Sequence, residues 1–123
     1  MARILVVEDD RDLNAAYQAI LKKAGHTVRA ALNGREALDA VGQFQPQLIL
    51  LDLLMPIMGG LEFLQHYNVD QHEGVQVLIF TNMENSPEVT EAYNLGAARA
   101  IIKSWTAPQN LTRVIDDVLT KQA

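Results

Sequence analysis

Glu8, Asp9 and Asp10 stand together directly after a short apolar run, and Asp52 stands directly after another, Leu48-Ile49-Leu50-Leu51. Thr81 follows a third such run and Lys103 a fourth. Crowded carboxylates repel one another, and their proton affinities rise unless a cation joins them. Oxygen ligands from carboxylates, a backbone carbonyl and waters suit Mg²⁺ or Mn²⁺. A lysine adds a fixed positive charge and a threonine a hydrogen-bonding hydroxyl. Such a set fits a phosphoryl group on Asp52, because carboxylates act as nucleophiles and form aspartyl phosphates. In-line transfer of that kind mainly needs a metal and cations to hold the equatorial oxygens. Taken alone, Asp52 reads equally well as a turn former or a helix cap.

The elements that would bring these residues together follow from the apolar pattern. Arg3–Val7, Thr27–Ala31, Leu48–Leu51, Val75–Phe80 and Ala98–Ile102 read as five strands. Leu48–Leu51 has no polar alternation, which marks a strand covered on both faces. Between them lie helical patterns. Leu13, Ala16, Tyr17, Ile20, Leu21 and Ala24 line the inner face of the first, with Gly25 as its stop. Asn33 caps the second, with Ala37, Leu38 and Val41 inside and Gly42 and Pro46 marking its break. Leu61, Phe63 and Leu64 belong to the third, and Asn68–Gly74 reads as a polar loop. Ser86-Pro87-Glu88 opens the fourth, which Gly96 closes. Thr106 and Gln109 suit a capping box for the fifth, carried by Leu111, Val114, Ile115, Val118 and Leu119. Strands and helices alternate five times, so a parallel sheet with helices on both faces and right-handed crossovers is expected. The named polar residues then fall at the carboxyl edge of that sheet, where open α/β folds bind ligands.

A chain of 123 residues with 49% apolar content suits one domain with a real core. Its net charge is −5 with no Lys/Arg cluster, so it offers nucleic acid little footprint. It has no cysteine, which excludes disulfides and thiol catalysis and permits a cytoplasmic location. No signal peptide is visible at the N-terminus, and no apolar stretch reaches the ~20 residues that span a bilayer. No membrane partner is therefore expected.

The chain resembles the response-regulator receiver domains, the CheY-like family of two-component signalling. The matching stretches are Ile4-Leu5-Val6-Val7-Glu8-Asp9-Asp10, Asn33-Gly34-Arg35-Glu36-Ala37-Leu38, Leu51-Asp52-Leu53-Leu54-Met55-Pro56 with Gly60, Val77-Leu78-Ile79-Phe80-Thr81, and Lys103. The resemblance implies a flavodoxin-like (βα)5 three-layer sandwich with strand order 2-1-3-4-5. It implies that Asp52 accepts a phosphoryl group from a sensor histidine kinase or a histidine phosphotransfer protein. Glu8, Asp9, Asp52 and the backbone carbonyl of Leu54 would hold Mg²⁺ or Mn²⁺, and Asp10 would start the first helix. Thr81 and Lys103 would bind the phosphoryl group, and Leu54 and Met83 stand where the family tunes its hydrolysis. Such a protein is no enzyme beyond its own phosphorylation and dephosphorylation. It works by docking to a downstream protein, and the family's usual contact surface, including that for a homodimer, is the face of the fourth helix, fifth strand and fifth helix. Residues 1–123 would be a single cytoplasmic receiver domain without an output domain, either stand-alone or part of a longer protein.

The sequence departs from the family at several points. Ser104 replaces the proline that usually follows the lysine. A cis bond before a non-proline residue costs ~2.5–4 kcal/mol, so Lys103-Ser104 is expected to be trans, or else a strained cis bond held by its neighbours. Trp105 is expected to pack in the core. Ala100 replaces the aromatic residue that turns inward on activation, so the usual threonine–aromatic relay cannot operate. Backbone shifts after Thr81 and in the fourth helix are the expected route instead. Asn82 replaces a small residue and is placed to narrow access to Asp52 or to donate to the phosphoryl group. Leu54 and Met83 are both apolar and cannot orient an attacking water, so a long-lived phosphoryl group is expected.

Other readings fit less of the chain. A pseudo-receiver, a docking module that is never phosphorylated, draws on Ser104, Ala100 and Asn82 but leaves the complete set of acids, Thr81 and Lys103 unused. Phosphohydrolases of the haloacid dehalogenase type need a second Asp where Leu54 stands. Dinucleotide binding needs a Gly-rich loop after the first strand, which is absent. His26, His66 and His72 are expected to be solvated surface residues, and Tyr17 and Tyr93 to pack on helix faces.

Overall fold

A computed structural model describes residues 2–82, 86–103 and 108–120. The order of elements is β1 (Arg3–Val7), α1 (Arg11–Lys23), β2 (Thr27–Ala31), α2 (Gly34–Phe44), β3 (Leu48–Leu51), α3 (Gly60–Tyr67), β4 (Gln76–Thr81), α4 (Pro87–Asn94), β5 (Arg99–Ile102) and α5 (Pro108–Thr120). The strands form one sheet in the order β2-β1-β3-β4-β5, and every neighbouring pair is parallel. The parallel sheet with helices on both faces is what the alternating pattern predicts, and its strand order is the flavodoxin-like one that the resemblance implies.

The three central strands are apolar on both faces because both faces are covered. Leu5, Val7, Ile49, Leu51, Val77 and Ile79 pack against α2, α3 and α4 through Ala37, Ala40, Phe63, Leu64, Tyr67 and Ala92. Ile4, Val6, Leu48, Leu50, Leu78 and Phe80 pack against α1 and α5 through Tyr17, Leu21, Leu111, Ile115 and Val118. Alternate side chains of a strand point to opposite faces, so each strand feeds both layers. The register aligns the carboxyl ends. Val7 pairs with both Ala31 and Leu51, Leu51 with Ile79, and Thr81 with Ile102. The residues just beyond these ends therefore emerge along one edge.

Several helix ends follow the expected chemistry. The Asp10 carboxylate accepts from the amides of Asp12 and Leu13 and so caps α1. Asn33 accepts from Glu36 N–H at 2.9 Å, and Ser86 from Val89 N–H at 3.2 Å. Chain reversal after α1 and α4 falls on Gly25 and Gly96, both at positive φ.

Other expectations need correction. Gly42 does not break α2. It lies on an open helix face, and α2 ends instead at Gln45 in the left-handed region, φ 52°, just before Pro46. The buried face of α1 is Asn14, Tyr17 and Leu21, while Ala16 and Ala24 are exposed. Asn68–Gly74 is more than a polar loop. It contains a 3₁₀ turn, Val69–Gln71, that buries Val69, and the His72 ring stacks on Tyr67 at 4.0 Å. His72 is exposed as expected, with one face of its ring laid on Tyr67. The side chain of His26 is only 7% exposed; its Nδ1 accepts from Ala2 N–H at 3.1 Å and its Nε2 lies 3.8 Å from Asp116. His66, like His72, is solvated as expected, 3.9 Å from Glu62 one turn earlier. Tyr17 packs edge-on to Phe80 as expected. Tyr93 is half exposed, and its hydroxyl accepts from Ala100 N–H at 2.8 Å. Ser104, Trp105, Thr106 and Met83 lie outside the described residues, as does the Lys103-Ser104 peptide.

The loop from Asp52 to α3 is tightly tied. Gly60 N–H donates to Leu53 O at 3.0 Å and Gly34 N–H to Met58 O at 2.8 Å. Between them Met58 N–H donates back to Pro56 O at 2.7 Å across Ile57, which has φ 69°. That is a γ-turn of the rare positive-φ kind, here centred on a β-branched residue that is 83% exposed. Gly60 must be glycine for a different reason. A Cβ there would lie 2.5 Å from Asp52 O and 2.9 Å from Leu53 Cα.

These contacts predict opposite outcomes for two alanine substitutions. Gly60→Ala should lower stability by at least about 1–3 kcal/mol, because backbone atoms cannot step aside as a flexible side chain can. Gly42→Ala, whose new methyl meets nothing within 4 Å, should raise it by about 0.5–1 kcal/mol through helix propensity. Urea denaturation midpoints of the two variants check both signs.

Candidate functional site

Glu8 follows β1, Asp52 follows β3, Thr81 ends β4 and Lys103 follows β5. All four sit at the carboxyl edge, and Glu8, Asp52 and Thr81 are buried. Asp52 N–H donates to Val7 O at 3.0 Å, which pins the aspartate beside the end of β1. Lys103 reaches from β5 across β4. Its Nζ pairs with Glu8 Oε1 and stands 3.3 Å from Asp52 Oδ2. The other Glu8 oxygen accepts from Asp10 N–H at 3.1 Å. Together with Asp9, Asp10, Leu13, Leu54 and Asn82, these residues line a cleft of about 300 Å³. The edge therefore brings together every described residue that the sequence singles out. A second cleft, of about 320 Å³ and lined by Arg3, Gln45, Gln47, Tyr67 and His72 among others, has one acid, Glu73, in its lining and no acidic cluster.

Burial dominates the electrostatics of the site. It pushes the carboxyl groups of Glu8 and Asp52 above the ordinary carboxylate range, and the neighbouring Lys103 pulls them back without undoing the shift. Burial also raises Tyr17, with the negative charges of Glu8, Asp52 and Asp10 adding to it. Glu8, Asp9 and Asp52 each offer a carboxylate oxygen within 4.8 Å of the other two. Three hard oxygen donors so close together can share one small divalent cation, so the donor set fits Mg²⁺ or Mn²⁺. No histidine belongs to this group.

Asn14 is the residue that sequence reasoning missed. It is 1% exposed on α1, directly behind the acids. Its Nδ2 donates to Glu8 O at 3.0 Å and Ala31 O at 3.1 Å, with Val6 O at 3.4 Å, and its Oδ1 accepts from Gln18 Nε2 at 2.8 Å. A signal was present. Asn14, Tyr17 and Leu21 are spaced at i, i+3 and i+7, which puts a polar residue in an inward helical slot.

Residues 4–116 match the response regulator receiver domain family. The "Regulator of RpoS" of Escherichia coli K12 is 31% identical over 101 residues, which cover 82% of this chain and 30% of that protein. "Response regulator MprA" of Mycolicibacterium vanbaalenii is 30% identical over 112 residues, covering 91% of this chain and 48% of the relative. The chain thus spans less than half the length of either. Among solved structures, the Vibrio cholerae chemotaxis protein CheY4 superposes with a TM-score of 0.87 at 31% identity, covering 97% of this chain and 99% of that one. A CheY-like receiver domain protein from Methanospirillum hungatei gives 0.91 at 27% identity, covering 99% and 96%.

The shared lysine sets a stability test. Removing it in Lys103→Met strands two buried acids without a cation, so metal-free protein at pH 7 should lose about 3–5 kcal/mol. Both carboxyls have folded pKa values above their unfolded ones, so the native state binds more protons than the unfolded chain as pH falls. Stability from these groups is therefore greatest in acid and lost as pH rises through the folded pKa values. The Lys103→Met deficit should shrink from pH 7 to pH 5, measured by urea denaturation in EDTA. An equal deficit at both values would show that the charges are not the cause.

Proposed function

Because the chain belongs to the response regulator receiver domain family, we propose that it accepts a phosphoryl group on Asp52 from a phosphohistidine and so switches its binding to a downstream protein. The observation that carries this reading is the single Lys103 ammonium set between the buried carboxylates of Glu8 and Asp52. The donor is a sensor histidine kinase or a histidine phosphotransfer protein. An Asp52 carboxylate oxygen attacks phosphorus, the phosphorus–nitrogen bond to the donor imidazole breaks, and the imidazole keeps that electron pair. Lys103 balances charge on the transferred oxygens, and the Thr81 hydroxyl donates to one of them. Asn82, exposed and lining the cleft, would add a second hydrogen bond. Glu8, Asp9, Asp52 and the Leu54 carbonyl would hold Mg²⁺ or Mn²⁺, which when bound offsets negative charge on the phosphoryl oxygens.

The chain turns over no separate substrate; its chemistry is confined to gaining and losing its own phosphoryl group. Leu54 is largely exposed at the cleft, and it and Met83 are apolar and leave an attacking water unoriented. Ala100 carries no switching ring, so the change travels through the segment after Thr81 and through α4. The Tyr93–Ala100 hydrogen bond already ties α4 to β5. Residues 1–123 act as one receiver domain in the cytoplasm. Among the described residues no helix is long and apolar enough to cross a membrane.

Incubation with acetyl phosphate and Mg²⁺ should add one phosphoryl group by intact mass, and Asp52→Asn should abolish the gain. No mass gain in the unaltered chain would favour a docking module that works without phosphorylation. Once formed, the adduct should persist for minutes in Mg²⁺, and decay within seconds would contradict the role given to Leu54 and Met83.

A further inference from the structure

Where β1 and β2 end, their hydrogen-bond ladder runs out. Glu8 N–H makes the last rung, to Ala31 O at 3.1 Å. Past that point the Glu8 and Ala31 carbonyls face α1, and both are taken by the single amide of Asn14. The side chain is oriented without ambiguity, since three carbonyl oxygens around Nδ2 require the NH₂ group there. Gln18 holds the opposite end by donating to Oδ1. The Glu8 carbonyl belongs to the peptide that joins Glu8 to Asp9. Asn14 thus grips the plane that fixes how these two carboxylates stand relative to each other. A helix dipole or a capping residue would not do this, because neither reaches that carbonyl.

Metal ions differ in how much they need such a grip. Mg²⁺ requires near-ideal octahedral geometry at about 2.0–2.1 Å and tolerates little misplacement. Ca²⁺ accepts longer, irregular coordination at about 2.3–2.6 Å. We propose that Asn14, by locking the Glu8–Asp9 peptide to the ends of β1 and β2, is a positioning residue that sets the preference of the acidic cluster for Mg²⁺ over Ca²⁺. This inference rests on the proposed function, in which Glu8, Asp9 and Asp52 hold the metal.

Calorimetric titration of the whole chain with Mg²⁺ and with Ca²⁺ tests it. In Asn14→Ala the Mg²⁺ dissociation constant should rise about tenfold or more, the usual scale for losing a group that orients ligands, while that for Ca²⁺ rises about twofold or less. Leu21→Ala is the control, since it truncates another buried residue of α1 far from the Glu8–Asp9 peptide. It should lower the melting temperature and leave the Mg²⁺/Ca²⁺ ratio unchanged. If Asn14→Ala does not fold, Gln18→Leu decides, because it frees the Asn14 amide without emptying a buried slot; the ratio should fall in the same direction by less. Parallel losses of both ions, or an equal change of ratio in Leu21→Ala, would overturn the inference and leave the proposed function standing. Failure of the unaltered chain to bind Mg²⁺ at all would instead remove the reading on which it rests.

Discussion

Two carboxylates, Glu8 and Asp52, are buried side by side with one lysine between them. Desolvating two negative charges costs several kcal/mol each unless their attraction to a cation and further hydrogen bonds offset it. Lys103 supplies the attraction and the amide of Asp10 supplies a hydrogen bond. The balance still leaves an excess of negative charge, and burial keeps both acids reluctant to ionise. A site built this way is left short of positive charge, and its three carboxylate oxygens suit a divalent cation.

The rest of the molecule can be understood as what holds that arrangement in place. A lysine on the edge strand meets acids on two inner strands only if all three are parallel and end level, as the register from Val7 through Leu51 and Ile79 to Ala100 ensures. Parallel strands require long crossovers, and the crossover helices require both faces of the sheet to be apolar. The two core layers follow from that demand. So does the absence of polar side chains from β3, after whose last residue Asp52 follows.

Much of this is legible in the amino-acid sequence because it depends on periodicities that sequence expresses directly. The unbroken run Leu48–Leu51 marks a doubly covered strand, and three of the five strands have the bounds that their apolar runs suggest. The acids, Thr81 and Lys103 are legible because each sits next to such a run. Features that depend on tertiary neighbours were not. Gly42 is a helix breaker by propensity, yet α2 continues through it because its buried residues Ala37 and Ala40 hold the helix to the sheet. His26 looks like a surface residue until the backbone of Ala2 is brought against it. The inward slot of Asn14 is legible from its spacing with Tyr17 and Leu21, but its partners are backbone carbonyls, which carry no sequence signal.

The γ-turn at Ile57 has a consequence for how the loop beside Asp52 can move. A left-handed backbone costs an L-residue roughly 1–2 kcal/mol, and a branched Cβ gives it no relief. The bonds at Leu53–Gly60, Pro56–Met58 and Gly34–Met58 hold Ile57 there, while its side chain projects into water and contributes nothing in return. The loop is therefore spring-loaded. Any displacement of Leu54 and its neighbours that lets Ile57 return to negative φ relieves that cost, so the loop's hydrogen bonds must outweigh it for the turn to persist.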